Sequence, residues 1–133
     1  MKDETKAWLK YAEENLESAR ILFQSKLYNP CLQNVQQAVE KALKAILVER
    51  TSTIKKTHDI FEIKQLIVSN NIEVDLSDDE CDFLNSIYLP SKYPLGSILA
   101  DYEPDEKVCR SGINIAEKVV QFADWIIRRN EPK

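Results

Sequence analysis

The proton chemistry available near neutral pH rests on one side chain. His58 is the only histidine among the 133 residues, and imidazole is the side chain whose ordinary pKa lets it exchange a proton between pH 5 and 8. His58 is therefore a candidate general base. The alternative is a structural histidine that packs at the start of a helix and hydrogen-bonds the backbone, and a lone histidine favours that role.

Charge is distributed unevenly around His58. The segment 41–58 contains five basic residues against Glu49 alone: Lys41, Lys44, Arg50, Lys55 and Lys56. The segment 73–82 contains six acidic residues and no basic one: Glu73, Asp75, Asp78, Asp79, Glu80 and Asp82. Both segments are interpreted first as solvated surface patches. The alternative is that the basic segment faces a ligand or a partner, with Lys41 and Lys44 contacting phosphate and His58 orienting it.

Composition argues against several classes of protein. The three cysteines, Cys31, Cys81 and Cys109, form no CxxC pair, and with one histidine they cannot supply the ligands of a zinc site. All three fall inside predicted helices, as core thiols do. With only two glycines there is no Gly-rich phosphate loop. No metal and no cofactor are predicted.

Net charge and hydropathy bear on which partners the protein can bind and on where in the cell it is expected. The net charge of −4 argues against broad electrostatic binding to nucleic acid. No apolar run approaches the roughly 20 residues that span a bilayer, and the charged start Met1–Glu4 does not resemble a signal peptide. The sequence predicts a cytoplasmic protein without a membrane segment.

The spacing of apolar residues predicts which helices carry the candidate site residues. Apolar residues recur at spacings of three and four, and the pattern predicts helices over about 4–24, 30–50, 58–69, 78–89 and 105–129. The chain is thus expected to be one all-α domain over 1–133. Glu40 and Lys44 have the order and spacing of an i,i+4 ion pair, which contributes little to stability if it is exposed.

Particular residues predict the helix boundaries. Asn29 and Pro30 suit the cap and first turn of the second helix, and Thr57 is expected to cap the third. Asn70 and Asn71 should end that helix, because asparagine tolerates the left-handed conformation. Ser77 and Glu80 form a capping box. Pro90 is expected to stop the fourth helix, and Gly112 in the last helix indicates close approach of a neighbouring helix.

The segment 89–104 has no helical periodicity but contains six large apolar residues: Leu89, Tyr93, Leu95, Ile98, Leu99 and Tyr102. Loops of this length in small domains are usually functional or covered. Together with the wide apolar face of the last helix, the segment offers more apolar surface than one small bundle buries. A homodimer is therefore predicted.

Three pieces of the sequence together resemble the minimal prokaryotic HEPN domain: Trp8–Ala19 with Leu27–Cys31, Gln36–Ala45 with Thr57–Ile60, and Ser91–Pro94. The middle piece is the most specific, and the resemblance covers nearly the whole chain. It implies an up-and-down antiparallel helical bundle of four long helices plus a short extra helix, usually paired into a homodimer. It also implies a minimal nucleotidyltransferase as partner, in modules that resemble toxin–antitoxin pairs.

Many HEPN proteins are metal-independent ribonucleases, and their signature is an arginine, four to six residues, then a histidine. The arginine holds the scissile phosphate and the histidine takes the proton of the 2′-hydroxyl. That signature is absent here. Seven residues separate Arg50 from His58, Lys92 stands where an arginine usually precedes Tyr-Pro, and no histidine follows Arg110. His58 instead matches the family's Thr-His-Asp element.

Three functions follow as alternatives. The leading one is a dimerising accessory module that acts with a minimal nucleotidyltransferase in a toxin–antitoxin-like or nucleotide-handling pair. The second is a divergent metal-independent ribonuclease that uses His58, Lys92 and Tyr93. The third is a purely structural interaction protein. A nucleotide or RNA ligand, if bound, is expected at Lys41, Lys44, His58 and Lys92.

Overall fold

The computed structural model describes residues 1–51, 56–92 and 104–129, with residues 89–92 as backbone only. Within them the chain forms five α-helices: α1 (Asp3–Gln24), α2 (Tyr28–Thr51), α3 (Ile60–Val68), α4 (Asp78–Lys92) and α5 (Glu106–Arg128). No strand occurs in these ranges. The predicted all-α bundle of four longer helices and a short one is confirmed.

The bundle is built around α2. This helix packs against α1, α3, α4 and α5, and every residue from Ala42 to Val48 is buried. That stretch covers nearly two turns, so α2 has no solvated side there. Any charged residue within it must find its partner inside the protein.

The start of α2 was predicted too late. The helix begins at Tyr28, so Pro30 lies inside its first turn and Asn29 is helical rather than a cap. Lys26 adopts a left-handed conformation with φ of 60°, and the Leu27 amide donates to the carbonyl of Leu22. These contacts end α1 and reverse the chain within the three residues 25–27. The second helix can therefore begin at Tyr28, before the predicted cap.

The start of α3 was predicted too early. The helix begins at Ile60, and its cap is Asp59, whose carboxylate accepts from the Glu62 amide at 3.2 Å. The predicted cap Thr57 instead accepts from the Asp59 amide at 3.1 Å. A carboxylate at a helix N-terminus also interacts favourably with the helix dipole. His58 therefore lies in the segment before α3 and not in a helix.

The fourth helix starts as predicted but ends later. The Ser77 amide donates to Glu80 Oε1 at 2.9 Å and the Glu80 amide donates to Ser77 Oγ at 3.0 Å, which confirms the capping box. The prediction that Pro90 stops the helix is wrong, since α4 continues to Lys92. Proline costs a hydrogen bond, but its fixed φ is compatible with a helix that continues. The later part of the predicted loop, 93–103, lies outside the described residues.

The predicted roles of Asn71 and Gly112 are confirmed, and the last helix begins within one residue of its predicted start. Asn71 adopts φ of 64° after α3. Asp105 caps α5 by accepting from the Val108 amide at 2.9 Å. A Cβ atom at Gly112 would lie 3.1 Å from Leu32 Cδ2, so α5 approaches α2 closely at this glycine.

The three cysteines are buried free thiols, as predicted. Burial raises the pKa of Cys81 to about 11 and that of Cys109 to about 12, so both stay protonated at neutral pH. No group of three or more metal-binding side chains occurs within the described ranges. The helices there include none long and apolar enough to cross a membrane.

Glu80 also gives a pH-dependent contribution to stability. Burial raises its pKa, but the hydrogen bonds from Ser77 and Lys118 outweigh burial and lower the pKa from 4.5. The stabilisation is thus present above the unfolded-state pKa of about 4.3 and is lost as the pH falls through the folded-state value. Glu80→Gln should cost about 0.5–1 kcal/mol at pH 7 and little at pH 3, measured by urea unfolding. Asp82→Asn, on the exposed side of α4, is the control; an equal loss there would contradict the prediction.

Candidate functional site around Glu40 and His58

One face of α2 carries a row of polar residues into the interior. Gln36, Glu40 and Lys44 are spaced four residues apart, so they follow one another along the helix. The exposed fractions of Glu40 and Lys44 are 4% and 6%. A buried charge is tolerated only when it is paired and hydrogen-bonded, so this row depends on its internal contacts.

The carboxylate of Glu40 is the centre of those contacts. Lys44 Nζ lies 2.9 Å from its Oε2, and Gln36 Nε2 donates to its Oε1 at 3.1 Å. His58 Nδ1 lies 3.1 Å from Oε1 and 3.2 Å from Oε2. Among the described residues, no buried side-chain nitrogen or oxygen lacks a hydrogen-bond partner. The predicted Glu40–Lys44 pair is thus present, and both of its residues are buried.

Glu40 fixes the orientation of His58. An ionised carboxylate can only accept hydrogen bonds, so the proton of the neutral imidazole is assigned to Nδ1. The lone pair then lies on Nε2. The His58 side chain is 53% exposed, and its ring stacks on Tyr88 of α4 with centroids 4.7 Å apart. The predicted hydrogen bond to the backbone is wrong, because the ring binds a side-chain carboxylate.

Lys41 differs from Lys44 although both are in α2. Its Nζ donates to Asn15 Oδ1 at 2.8 Å and lies 5.8 Å from the centroid of the Tyr11 ring. Within the described residues Lys41 makes no ion pair. Its charge therefore remains available to an anion, whereas the charge of Lys44 is compensated by Glu40.

The predicted site residues are thus only partly brought together. His58 and Lys44 share Glu40, and Lys41 follows Glu40 directly in the chain. Lys92 is the last residue of α4, where its side chain is not described, and Tyr93 lies outside the described residues. Tyr88 stacks on His58 although nothing in the sequence indicates this contact.

An imidazole that a carboxylate holds through one ring nitrogen can accept a proton from a hydroxyl group at the other, and the His58 side chain is half exposed. A neighbouring uncompensated ammonium can hold an anion. The chain therefore offers one group suited to proton transfer, His58 on Glu40 and Tyr88, and one cation suited to phosphate, Lys41 beside Asn15 and Tyr11 of α1.

Comparison with known proteins identifies the family. The HEPN domain model matches residues 5–126. The chain belongs to the HEPN family. A curated relative from Methanocaldococcus jannaschii, named "Putative toxin MJ0605", is 31% identical over 129 residues, which cover 95% of this chain and 88% of that protein.

Solved structures agree with this HEPN assignment at the level of the fold. An archaeal HEPN homologue, ST0689, superposes with a TM-score of 0.67 at 24% identity and covers 96% of this chain and 99% of its own. The Thermus thermophilus protein TT1696 superposes with a TM-score of 0.71 at 23% identity, covering 92% and 98%. The fold of this chain is therefore shared by proteins of distant sequence.

Proposed function

We propose that this HEPN chain is a dimerising accessory module of a toxin–antitoxin-like pair and that it acts with a minimal nucleotidyltransferase. Membership of the HEPN family and the curated relative named as a toxin support the proposal. The observation that carries it is Lys41, which makes no ion pair within the described residues, together with the His58 imidazole that Glu40 orients. These two groups suit the binding of a phosphate-bearing ligand.

The ligand should bind through Lys41 and not through Lys44. Lys41→Gln should weaken binding of ATP, used as the probe nucleotide, by about tenfold and should flatten the salt dependence, because one phosphate contact is lost. Titration calorimetry at two salt concentrations measures both effects. Lys10→Gln on the exposed side of α1 removes the same charge elsewhere. Equal binding by wild type and Lys41→Gln would overturn the assignment of the ligand to Lys41.

The partner is tested separately. We expect a minimal nucleotidyltransferase gene beside the gene for this chain, and we expect the two proteins to co-elute when expressed together. Light scattering of the chain alone should show a dimer at micromolar concentration. Adjacent genes without a nucleotidyltransferase would contradict the partner, and a monomer would contradict the dimer.

A metal-independent ribonuclease is the second candidate, and the geometry of His58 favours it. Glu40 leaves Nε2 of His58 as a proton acceptor near solvent, the role that a 2′-hydroxyl requires. Among the described residues, however, no arginine contacts His58, and charge stabilisation at the phosphate would rest on lysine. Lysine lacks the bidentate geometry of arginine.

The two candidates are separated by RNA cleavage in the presence of a chelator. Slow cleavage that is lost in His58→Ala would support the ribonuclease. Equal inactivity of wild type and His58→Ala would exclude it and leave the accessory module. Tyr88→Phe preserves the ring beneath His58 and is the control for stacking, so loss of cleavage in both variants would indicate general damage to the site.

A further inference from the structure

Side-chain contacts hold the backbone on either side of His58. The residue lies in the segment before α3, outside any helix, so the hydrogen-bond ladder of a helix does not fix its place. Before it, Thr57 Oγ1 donates to Glu62 Oε2 at 3.1 Å and accepts from the Asp59 amide at 3.1 Å. After it, the contacts come from α4. The position of the imidazole therefore depends on residues outside its own segment.

Asn85 of α4 binds the two residues that follow His58. Its Nδ2 donates to Asp59 Oδ1 at 3.0 Å, and its Oδ1 accepts from the Ile60 amide at 2.9 Å. Ile60 is the first residue of α3, and the first amides of a helix have no acceptor within that helix. One carboxamide thus supplies a donor and an acceptor to two consecutive residues.

The same helix supports the ring of His58. Tyr88 comes three residues after Asn85 and so lies on the same side of α4. Its ring stacks on the His58 ring, with centroids 4.7 Å apart and an angle of 18° between the planes. Three buried apolar residues anchor α4 in the core: Cys81, Leu84 and Ile87. One fixed helix therefore contacts both the imidazole and the backbone that follows it.

We propose that Asn85 is a positioning residue for His58. Its carboxamide holds the backbone of Asp59 and Ile60, so that the His58 ring stacks on Tyr88 and directs Nδ1 to Glu40. The inference deepens the proposed function and rests on it, since His58 is the imidazole of that site. It adds α4 to a site that otherwise consists of α2 and the segment before α3.

Asparagine is suited to this position by its chemistry and its length. The side chain must donate to Asp59 and accept from the Ile60 amide, and a carboxamide can do both. Aspartate has the same shape but no donor when ionised, and it would place a second carboxylate against Asp59. Asn85→Asp therefore keeps the acceptor for Ile60 and replaces the other hydrogen bond by repulsion.

The alternative is that Asn85 only completes the start of α3. That helix has a cap of its own, because Asp59 Oδ1 also accepts from the Glu62 amide at 3.2 Å. A purely structural Asn85 would affect stability and leave the His58 ring in place. A positioning residue would also affect which ring nitrogen carries the proton, since Glu40 holds the proton on Nδ1 only while the two side chains are in contact.

Nuclear magnetic resonance of protein labelled in histidine measures the position of that proton, and His58 is the only histidine. At about pH 8.5, where imidazole is neutral, the wild type should favour the Nδ1–H form about tenfold over the Nε2–H form. Asn85→Asp should lower this ratio at least about fivefold, because repulsion from Asp59 moves the ring away from Glu40. An unchanged ratio in Asn85→Asp would overturn the proposal, and so would a wild type that carries the proton mainly on Nε2.

A paired substitution and a matched control locate the effect. Asp59→Asn with Asn85→Asp removes the repulsion and returns an amide donor to the pair, so it should regain most of the wild-type ratio. Ser86→Asp adds the same charge at an exposed position of α4 and should leave the ratio as it is. A loss in Ser86→Asp equal to that in Asn85→Asp would overturn the assignment, as would a paired variant no better than Asn85→Asp.

Asn85→Ala keeps the test decisive if Asn85→Asp fails to fold by circular dichroism. It removes both hydrogen bonds without adding a charge and should lower the ratio about threefold. A wild-type ratio in folded Asn85→Ala would overturn the proposal. All of these measurements use the protein without ligand. Absence of ATP binding would therefore contradict the proposed function alone and leave the positioning of His58 standing.

Discussion

Replacing Glu40 by alanine is expected to lower the free energy of unfolding by about 3–5 kcal/mol. The substitution leaves Lys44 buried without the carboxylate that lies 2.9 Å from its Nζ, and breaking a buried ion pair by removing one partner costs about that much. Gln36 and His58 lose the same acceptor. Urea unfolding followed by circular dichroism measures the change.

The control is the simultaneous replacement of both charges. Glu40→Met with Lys44→Met removes the ion pair without leaving an unpaired charge, and such replacements are often neutral or stabilising. We expect this variant to regain most of the stability that Glu40→Ala loses. A double variant as unstable as Glu40→Ala would show that packing at position 40, and not the unpaired charge, causes the loss.

Replacing Gly112 by leucine is expected to cost about 3 kcal/mol. A Cβ atom at this position would already lie 3.1 Å from Leu32 Cδ2 and 3.3 Å from Val35 Cγ1. Further carbon atoms would force α5 away from α2, the helix with which it makes its main packing. The thermal midpoint and the urea midpoint should both fall.

Gly112→Ala tests whether the added side-chain volume against Leu32 and Val35 causes the predicted loss of stability. Alanine gains about 1 kcal/mol of helix propensity over glycine, and the side-chain ends of Leu32 and Val35 can shift by a few tenths of an ångström. The two effects oppose each other, so we expect a change within about 1 kcal/mol of zero. A loss in Gly112→Ala as large as that in Gly112→Leu would mean that the backbone at this position, and not the added volume, determines the cost.

The sequence predicted most of the fold because local chemistry determines most helix boundaries. The capping box of Ser77 and Glu80 and the left-handed Asn71 are short-range features. Errors occurred where two local signals competed. At the start of α3, Asp59 is a stronger cap than the predicted Thr57 because its side chain is charged. At the end of α4, the fixed φ of Pro90 is compatible with the helix that this proline was expected to end.

The candidate site was less predictable because it depends on contacts between elements. His58 and Glu40 are 18 residues apart in the chain, and Tyr88 comes from another helix. Nothing local indicates that these three side chains meet. One signal was available: the residues around Lys44 are apolar on every side of the helix from Ala42 to Val48, which indicates burial and therefore a partner such as Glu40.

The two residues of the Glu40–His58 contact differ in how readily they can move, because α2 is buried on all sides beside Glu40 and His58 is half exposed. Amide protons in the stretch 42–48 are expected to exchange with solvent only when the domain unfolds, because every residue there is buried. Glu40 lies two residues before this stretch in the same helix and is itself buried. His58 precedes α3 in a non-helical segment with half of its side chain exposed. We therefore expect the His58 ring to change orientation more readily than the Glu40 carboxylate, and such a change leaves the packing of α2 intact.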